Sequence, residues 1–109
     1  MPVLTVTDAE FLPLLAAHAR VVVKYYADWC GHCRLFAPKF ERLATAHPHI
    51  LFAEVNAEFN PLARRRGGVY HLPFFAAFEQ GRLLQHLTAT DETEVATFIG
   101  ALPWATTLK

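Results

Sequence analysis

Val21-Val22-Val23-Lys24-Tyr25-Tyr26-Ala27-Asp28-Trp29-Cys30-Gly31-His32-Cys33 is the stretch that decides the reading of this chain. Residues 21–27 form an apolar run without alternation, interrupted by Lys24, as expected of a strand buried on both faces. Beyond Cys33 the apolar residues Leu35, Phe36, Phe40, Leu43 and Ala44 recur with a helical period. The two cysteines therefore sit where a strand ends and a helix begins. A helix N-terminus carries partial positive charge and free N–H groups, and both stabilise a thiolate. Two residues three apart on a helical turn have Cα atoms roughly 5 Å apart, inside the window of a disulfide. The sequence encodes a dithiol that can close and reopen with little movement of the backbone.

Working outward, periods and breakers divide the rest of the chain. Residues 3–6 read as a short strand, and Thr7 with Glu10 as a capping box that opens a first helix. Phe11, Leu12, Leu14, Leu15 and Ala19 supply its apolar face, and Pro13 within that face predicts a late start or a bend. A buried strand is expected over 20–27. The second helix runs from Cys30 or Cys33 to Ala46, with a kink at Pro38. A further buried strand is expected over 50–56, then a short helix over 58–66 closed by Gly67-Gly68. Leu72-Pro73 leads into a strand over 74–78. Glu79-Gln80-Gly81-Arg82 reads as a hairpin turn, with an antiparallel return over 82–87. Asp91 caps a last helix with Val95, Phe98, Ile99 and Leu102 inward. The order βαβαβαββα predicts an α/β fold, a central mixed sheet flanked by helices on both faces.

Composition bounds the function. The 109 residues suit one domain over 1–109 with one core. Apolar residues make up 53%, with nine Phe, three Tyr and two Trp, so the core is expected to be rich in aromatics. Formal net charge is zero, so no global field draws nucleic acid or an anionic membrane. No apolar run approaches the roughly 18 residues of a membrane span. The start, Met1-Pro2-Val3-Leu4, lacks the basic and apolar regions of a signal peptide. The two cysteines lie too close in sequence to staple distant segments. These features predict a redox role in a reducing compartment, the cytoplasm, without nucleic-acid or membrane partners.

Several segments then match one family. They are Tyr26-Ala27-Asp28-Trp29-Cys30-Gly31-His32-Cys33, Pro38 five residues beyond the second cysteine, the Leu72-Pro73 pair, and Phe78-Glu79-Gln80-Gly81. On these the chain resembles the thioredoxin family over essentially its whole length. Leu72-Pro73 matches that family's cis-proline loop. The Gly-His pair between the cysteines is more similar to protein disulfide isomerase, since a typical thioredoxin has Gly-Pro there. The resemblance implies a thioredoxin fold, with Cys30 as the exposed attacking thiolate and Cys33 as the buried resolving thiol. It further implies that Trp29, Gly31, Leu72 and a cis Pro73 border a shallow apolar groove for the substrate chain. Exchange needs an attacking thiolate with a pKa near ambient pH and a leaving thiol of low pKa. Gly31 and His32, between the two sulfurs, are read as tuning that balance.

Three positions depart from the family pattern. Lys24 lies in the buried strand where the family usually carries an acid, thought to move protons to and from the resolving cysteine. Glu54 lies in the next strand, where thioredoxins often carry lysine. A lone buried charge is far more costly than a paired one. Against the family pattern the two charges look exchanged, with Glu54 held by Lys24 and serving as proton relay to Cys33; the alternative is that both side chains snorkel to the sheet edge. Thr88 stands where the family usually has a glycine facing the groove, and its side chain is expected to narrow it.

Zinc is the main rival use for a CxxC pair. However, His47-Pro48-His49 has one residue between its histidines where three to five are usual. The intervening helix also carries His47 about 20 Å from Cys33. No metal or cofactor is expected. His18, His47, His49 and His86 read as solvated, His71 as a loop residue, and Arg64-Arg65-Arg66 as cations suited to a helix C-terminus. Trp104 reads as cover for the core edge. The resulting expectation is a thiol–disulfide oxidoreductase that reduces or exchanges disulfides in protein substrates. It would be a monomer recharged by a flavoprotein thioredoxin reductase. One alternative is a more oxidising isomerase or oxidase, as His32 suggests. Another is a thioredoxin-fold adaptor or assembly subunit, against which the intact Cys30, Cys33 and Trp29 argue.

Overall fold

The apolar run at residues 20–26 becomes the middle of a sheet covered on both sides. In the computed structural model, which describes residues 2–105, the elements follow in chain order. They are β1 (Val3–Thr5), α1 (Asp8–Ala17), β2 (Arg20–Tyr26), α2 (Gly31–Ala46), β3 (Leu51–Asn56), α3 (Pro61–Gly67), β4 (Phe74–Glu79), β5 (Arg82–Thr88) and α4 (Glu92–Gly100). The strands lie in the order β1-β3-β2-β4-β5. β1, β3 and β2 are parallel, whereas β4 runs antiparallel to β2 and β5 antiparallel to β4. Val21, Val23 and Tyr25 pack with Phe11 and Leu15 of α1 and Ala63 of α3. Val22 packs on the opposite face with Phe36 and Phe40 of α2 and Val95 and Ile99 of α4. That two-sided cover is why β2 shows no alternation. Seven of the nine phenylalanines are fully buried, so the core is as aromatic as its composition implied.

Local chemistry sets the element ends. α1 starts directly after Thr7, whose N–H donates to Glu10 Oε1 at 2.8 Å. It runs through Pro13 without a late start, because Pro13 lies on the solvent side, away from the buried Phe11 and Leu15. α2 likewise continues through Pro38. α3 begins at Pro61, three residues beyond the expected start, because a proline in the first turn wastes no hydrogen bond. The Asp8 carboxylate accepts from Leu62 N–H at 2.9 Å and Ala63 N–H at 2.8 Å, and Asp8 N–H donates to Asn60 Oδ1 at 2.8 Å. The starts of α1 and α3 are thus clasped across 52 to 55 residues of sequence.

The Gly67-Gly68 pair divides two jobs. Gly68 ends α3 in the left-handed region, with φ 71°. Gly67 is needed for space, since a Cβ there would lie 2.6 Å from Tyr25 Oη and 2.8 Å from its ring carbons. That hydroxyl donates to Ala63 C=O at 2.8 Å. The expected hairpin turn is present, with Gln80 and Gly81 both at positive φ, the signature of a two-residue type I′ loop.

Candidate active site

Cys30 is the N-cap of α2, in the short link that follows β2. Its N–H donates to Ala27 C=O at 3.1 Å and its own C=O accepts Arg34 N–H at 3.3 Å. Its Sγ accepts from Cys33 N–H at 3.2 Å. The sulfur of Cys30 therefore sits where the unshared N–H groups of α2 point, the place a helix stabilises an anion. Cys30 and Cys33 form a disulfide with Cα atoms 5.3 Å apart, as the spacing on one turn predicted. Exposure does not separate the two residues in this oxidised state: Cys30 is 4% exposed and Cys33 2%. The expected exposure of Cys30 is not seen: as the cap of α2 bonded to Cys33, it is buried.

Two different environments flank the disulfide. On one side, Ala27, Cys30 and Cys33 form a small apolar cluster against which Leu72 and Tyr26 pack. The Leu72–Pro73 bond is cis, and Pro73 is buried behind Leu72. A cleft of about 230 Å³ opens beside this cluster, with Trp29, Leu72, Tyr70 and Val69 on its walls. Trp29 and Tyr70 are 66% and 69% exposed. Thr88 stands across from Phe74 in β5, one residue past Pro73. Gly31 opens α2 and is exposed to solvent, as is His32.

On the other side the floor is charged. Lys24 and Glu54 are direct partners in the β2–β3 register. Lys24 Nζ lies 3.5 Å from Glu54 Oε1, with the lysine side chain 3% exposed and the glutamate side chain 27%. Thr5 Oγ1 donates to Glu54 Oε2 at 2.8 Å. The ammonium also lies 5.5 Å from the centre of the Phe40 ring. Burial lowers the pKa of Lys24, and the charge and hydrogen bond of Glu54 only partly oppose that. A cavity of about 230 Å³ joins Lys24 and Glu54 to Cys33, Tyr26 and Arg34. Arg34 closes one edge, donating to Asp28 C=O at 2.7 Å.

The structure thus brings Trp29 and Leu72 to one flank of the disulfide, and Lys24 and Glu54 to the other. Tyr70 and Arg34 belong to the surroundings of the site but were not legible in the sequence. Arg34 follows Cys30 at a helical spacing of four, which is the available signal. Tyr70 sits in a loop, where no periodicity marks it.

Residues 2–101 match the family model for Thioredoxin. The chain belongs to the thioredoxin family. It is 34% identical over 85 residues to the thioredoxin of Alicyclobacillus acidocaldarius, covering 77% of this chain and 81% of that one. It is 36% identical over 100 residues to a thioredoxin of Rhodospirillum rubrum, covering 90% of this chain and 86% of that one. Among solved structures it resembles oxidised mitochondrial thioredoxin 3 of Saccharomyces cerevisiae, with a TM-score of 0.83 at 25% identity over 92% of this chain and 95% of that one. With its cysteine pair at the spacing of a thioredoxin active site, this family member is a thiol–disulfide oxidoreductase acting on protein disulfides.

Proposed function

We propose that Cys30 is the attacking thiolate of this thioredoxin-family protein and Cys33 its resolving thiol. The observation that carries this assignment is the helix-capping position of Cys30, whose sulfur accepts from Cys33 N–H at 3.2 Å. In the reduced protein, the Cys30 thiolate attacks one sulfur of a substrate disulfide. A mixed disulfide forms and the first substrate thiolate leaves. Cys33 then gives up its proton, attacks Cys30 Sγ, closes the ring and expels the second substrate thiolate. Two electrons pass to the substrate and the chain is left oxidised.

Glu54 is the acceptor for the Cys33 proton in this reading. Lys24 and Thr5 fix its carboxylate, and the shared cavity gives it a route to Cys33 through a water molecule. Lys24 itself, while charged, is a poor base, although its field favours the Cys33 thiolate. Trp29, Leu72 and Pro73 form the substrate edge, with Gly31 giving close access and Thr88 limiting the groove from the β5 side. His32 tunes the poise of the pair. A flavoprotein thioredoxin reductase recharges the dithiol, and the chain works as a one-domain monomer in the cytoplasm. No helix among the described residues is long and apolar enough to cross a membrane.

Brief alkylation of the reduced protein at neutral pH tests the division of roles. Mass mapping should find the label on Cys30. Equal labelling of Cys33 would overturn the assignment.

A further inference from the structure

Three consecutive arginines end α3, and they do not face the same way. Successive residues on a helix point about 100° apart, from 3.6 residues per turn. Arg66 turns towards the β4–β5 hairpin, with Nη2 3.5 Å from Gly81 C=O. Arg64 instead lines the cleft that Trp29 and Leu72 open beside the disulfide. It also lines a second cleft of about 400 Å³, together with Arg65, Gly68 and Val69. The two clefts adjoin, with Arg64 and Val69 on the walls of both, and together they make a trough from Leu72, which packs against the disulfide cluster, to the end of α3.

Arg64 and Arg65 are exposed, and among the described residues neither forms an ion pair or a side-chain hydrogen bond. Favourable interaction with the helix dipole needs only proximity to the C-terminus. It does not explain why two free guanidinium groups line a trough whose other end is aromatic. The chain as a whole carries no net charge, so this is a local field. Glu58 is the carboxylate on the wall of the first cleft, whereas the second cleft has two arginines and no acid. A carboxylate on a bound segment is therefore repelled at Glu58 and attracted at Arg64 and Arg65.

We propose that this trough receives the flanking segment of a protein disulfide that carries carboxylates a few residues from its cysteine. The proposal rests on the reading that Trp29 and Leu72 border the substrate groove. Apolar side chains next to the substrate cysteine settle against Trp29, Leu72 and Tyr70. An extended chain advances roughly 3.4 Å per residue, so the acidic residues reach the far end within a short segment. Arginine suits that end because its planar fork pairs with a carboxylate through two hydrogen bonds.

The test uses extended peptides, each with a central cysteine in disulfide linkage to a reporter thiol. Dithiothreitol regenerates the protein dithiol, and reporter release gives kcat/KM. An Asp-Glu pair is walked two to six residues from the cysteine on either side, and compared with Ser-Ser and Lys-Lys pairs. At its best offset the acidic pair should raise kcat/KM by roughly three- to tenfold over the neutral one, as expected for two exposed charge pairs. Lysines at that offset should lower it. The gain should vanish in Arg64→Gln/Arg65→Gln, persist in Arg66→Gln, and shrink in 0.5 M salt, where screening is over a few ångströms. Equal rates for acidic and neutral peptides at every offset would overturn the proposal. So would a gain that survives loss of both arginines. If Trp29→Ala leaves the neutral peptides unaffected, the groove reading itself fails, and this proposal with it.

Discussion

On one flank of the disulfide, Lys24 and Glu54 meet at 3.5 Å in a cavity that reaches Cys33. On the other, Trp29, Leu72 and Tyr70 wall an apolar cleft open to solvent. The first flank is fixed by strand register, because β2 and β3 place the two charges side by side. The second is fixed by loops, the links before α2 and before β4. Under the proposed roles, the difference separates proton handling from substrate handling. Charge on a rigid sheet can be exchanged between strands without moving the recognition surface, and loops can vary their side chains without disturbing the ion pair.

The largest effect should come from the residue both flanks share. Cys33 lines the charged cavity and belongs to the cluster that Leu72 covers. Cys33→Ser should bring insulin reduction down to background while leaving Cys30 able to attack. The variant should accumulate as a mixed disulfide with its substrate, visible as an added mass. Cys30→Ser should abolish both turnover and adduct. Adduct formation by Cys30→Ser would reverse the roles.

Breaking the charged flank should affect stability and one kinetic step. Glu54→Gln leaves an ammonium 3% exposed without its counter-charge. Losing one partner of a fully buried pair costs about 3–5 kcal/mol. With Glu54 27% exposed, the expected loss by urea unfolding is about 2 kcal/mol. The same change should slow release of the mixed disulfide and spare the first attack. Lys24→Asp combined with Glu54→Lys should recover about 1 kcal/mol or more of the loss expected from adding the single changes. Strict additivity would show that the pair does not interact.

The pH dependence has a definite sign. Lys24 titrates lower in the folded state than the ordinary lysine value of 10.5 because it is buried. Between that lowered value and about 10.5 the unfolded chain binds more protons, so stability from this group rises with pH. As pH falls through the folded-state value, that contribution is lost. Lys24→Met should remove this alkaline slope.

Much of this architecture was legible, and the failures have physical causes. The element order and mixed sheet follow from periods and breakers along the whole chain, and the dithiol at a helix start from the unalternating run before Cys30 and the helical period after Cys33. The Lys24–Glu54 pairing was readable because the resemblance places opposite charges at these two positions, and a charge in an apolar strand needs a partner. What escaped depends on contacts distant in sequence. Nothing local marks Asp8 as the cap of α3, since Thr7 and Glu10 already cap the start of α1 beside it. Nor does the sequence show that Gly67 is required by the Tyr25 ring rather than by helix termination. Tyr70 became part of the site only once the loop before Pro73 had folded beside Trp29.

Removing the apolar wall should have a smaller effect than breaking the charged floor. Trp29→Ala deletes an exposed ring that lines the cleft without anchoring the core. For a protein disulfide, KM should rise about tenfold, the order of one lost aromatic contact of about 1.4 kcal/mol. Reduction of a small-molecule disulfide should be unchanged, as should the midpoint of urea unfolding. A kcat loss on small and large substrates alike would mean that Trp29 acts on the cysteines and not on recognition.

His32 belongs to neither flank, and its substitution should shift the redox poise alone, leaving stability and recognition in place. It is exposed, sits in the first turn of α2, and makes no side-chain hydrogen bond or ion pair among the described residues. In its proposed role it acts on Cys30 in the reduced state, where the imidazole can donate to a thiolate or pair with it. That stabilises the dithiol form and makes the disulfide a better oxidant. The potential should fall between about −270 mV, the thioredoxin value, and about −180 mV, that of protein disulfide isomerase. His32→Pro should lower it by about 30 mV, which is tenfold in the exchange equilibrium. Proline is tolerated in the first turn of a helix, so folding should be unaffected. It also removes a backbone N–H beside Cys30, and His32→Ala separates the two causes. An equal fall in both variants assigns the effect to the imidazole. A fall confined to proline assigns it to the backbone donor, and the residue would then tune the site without its side chain.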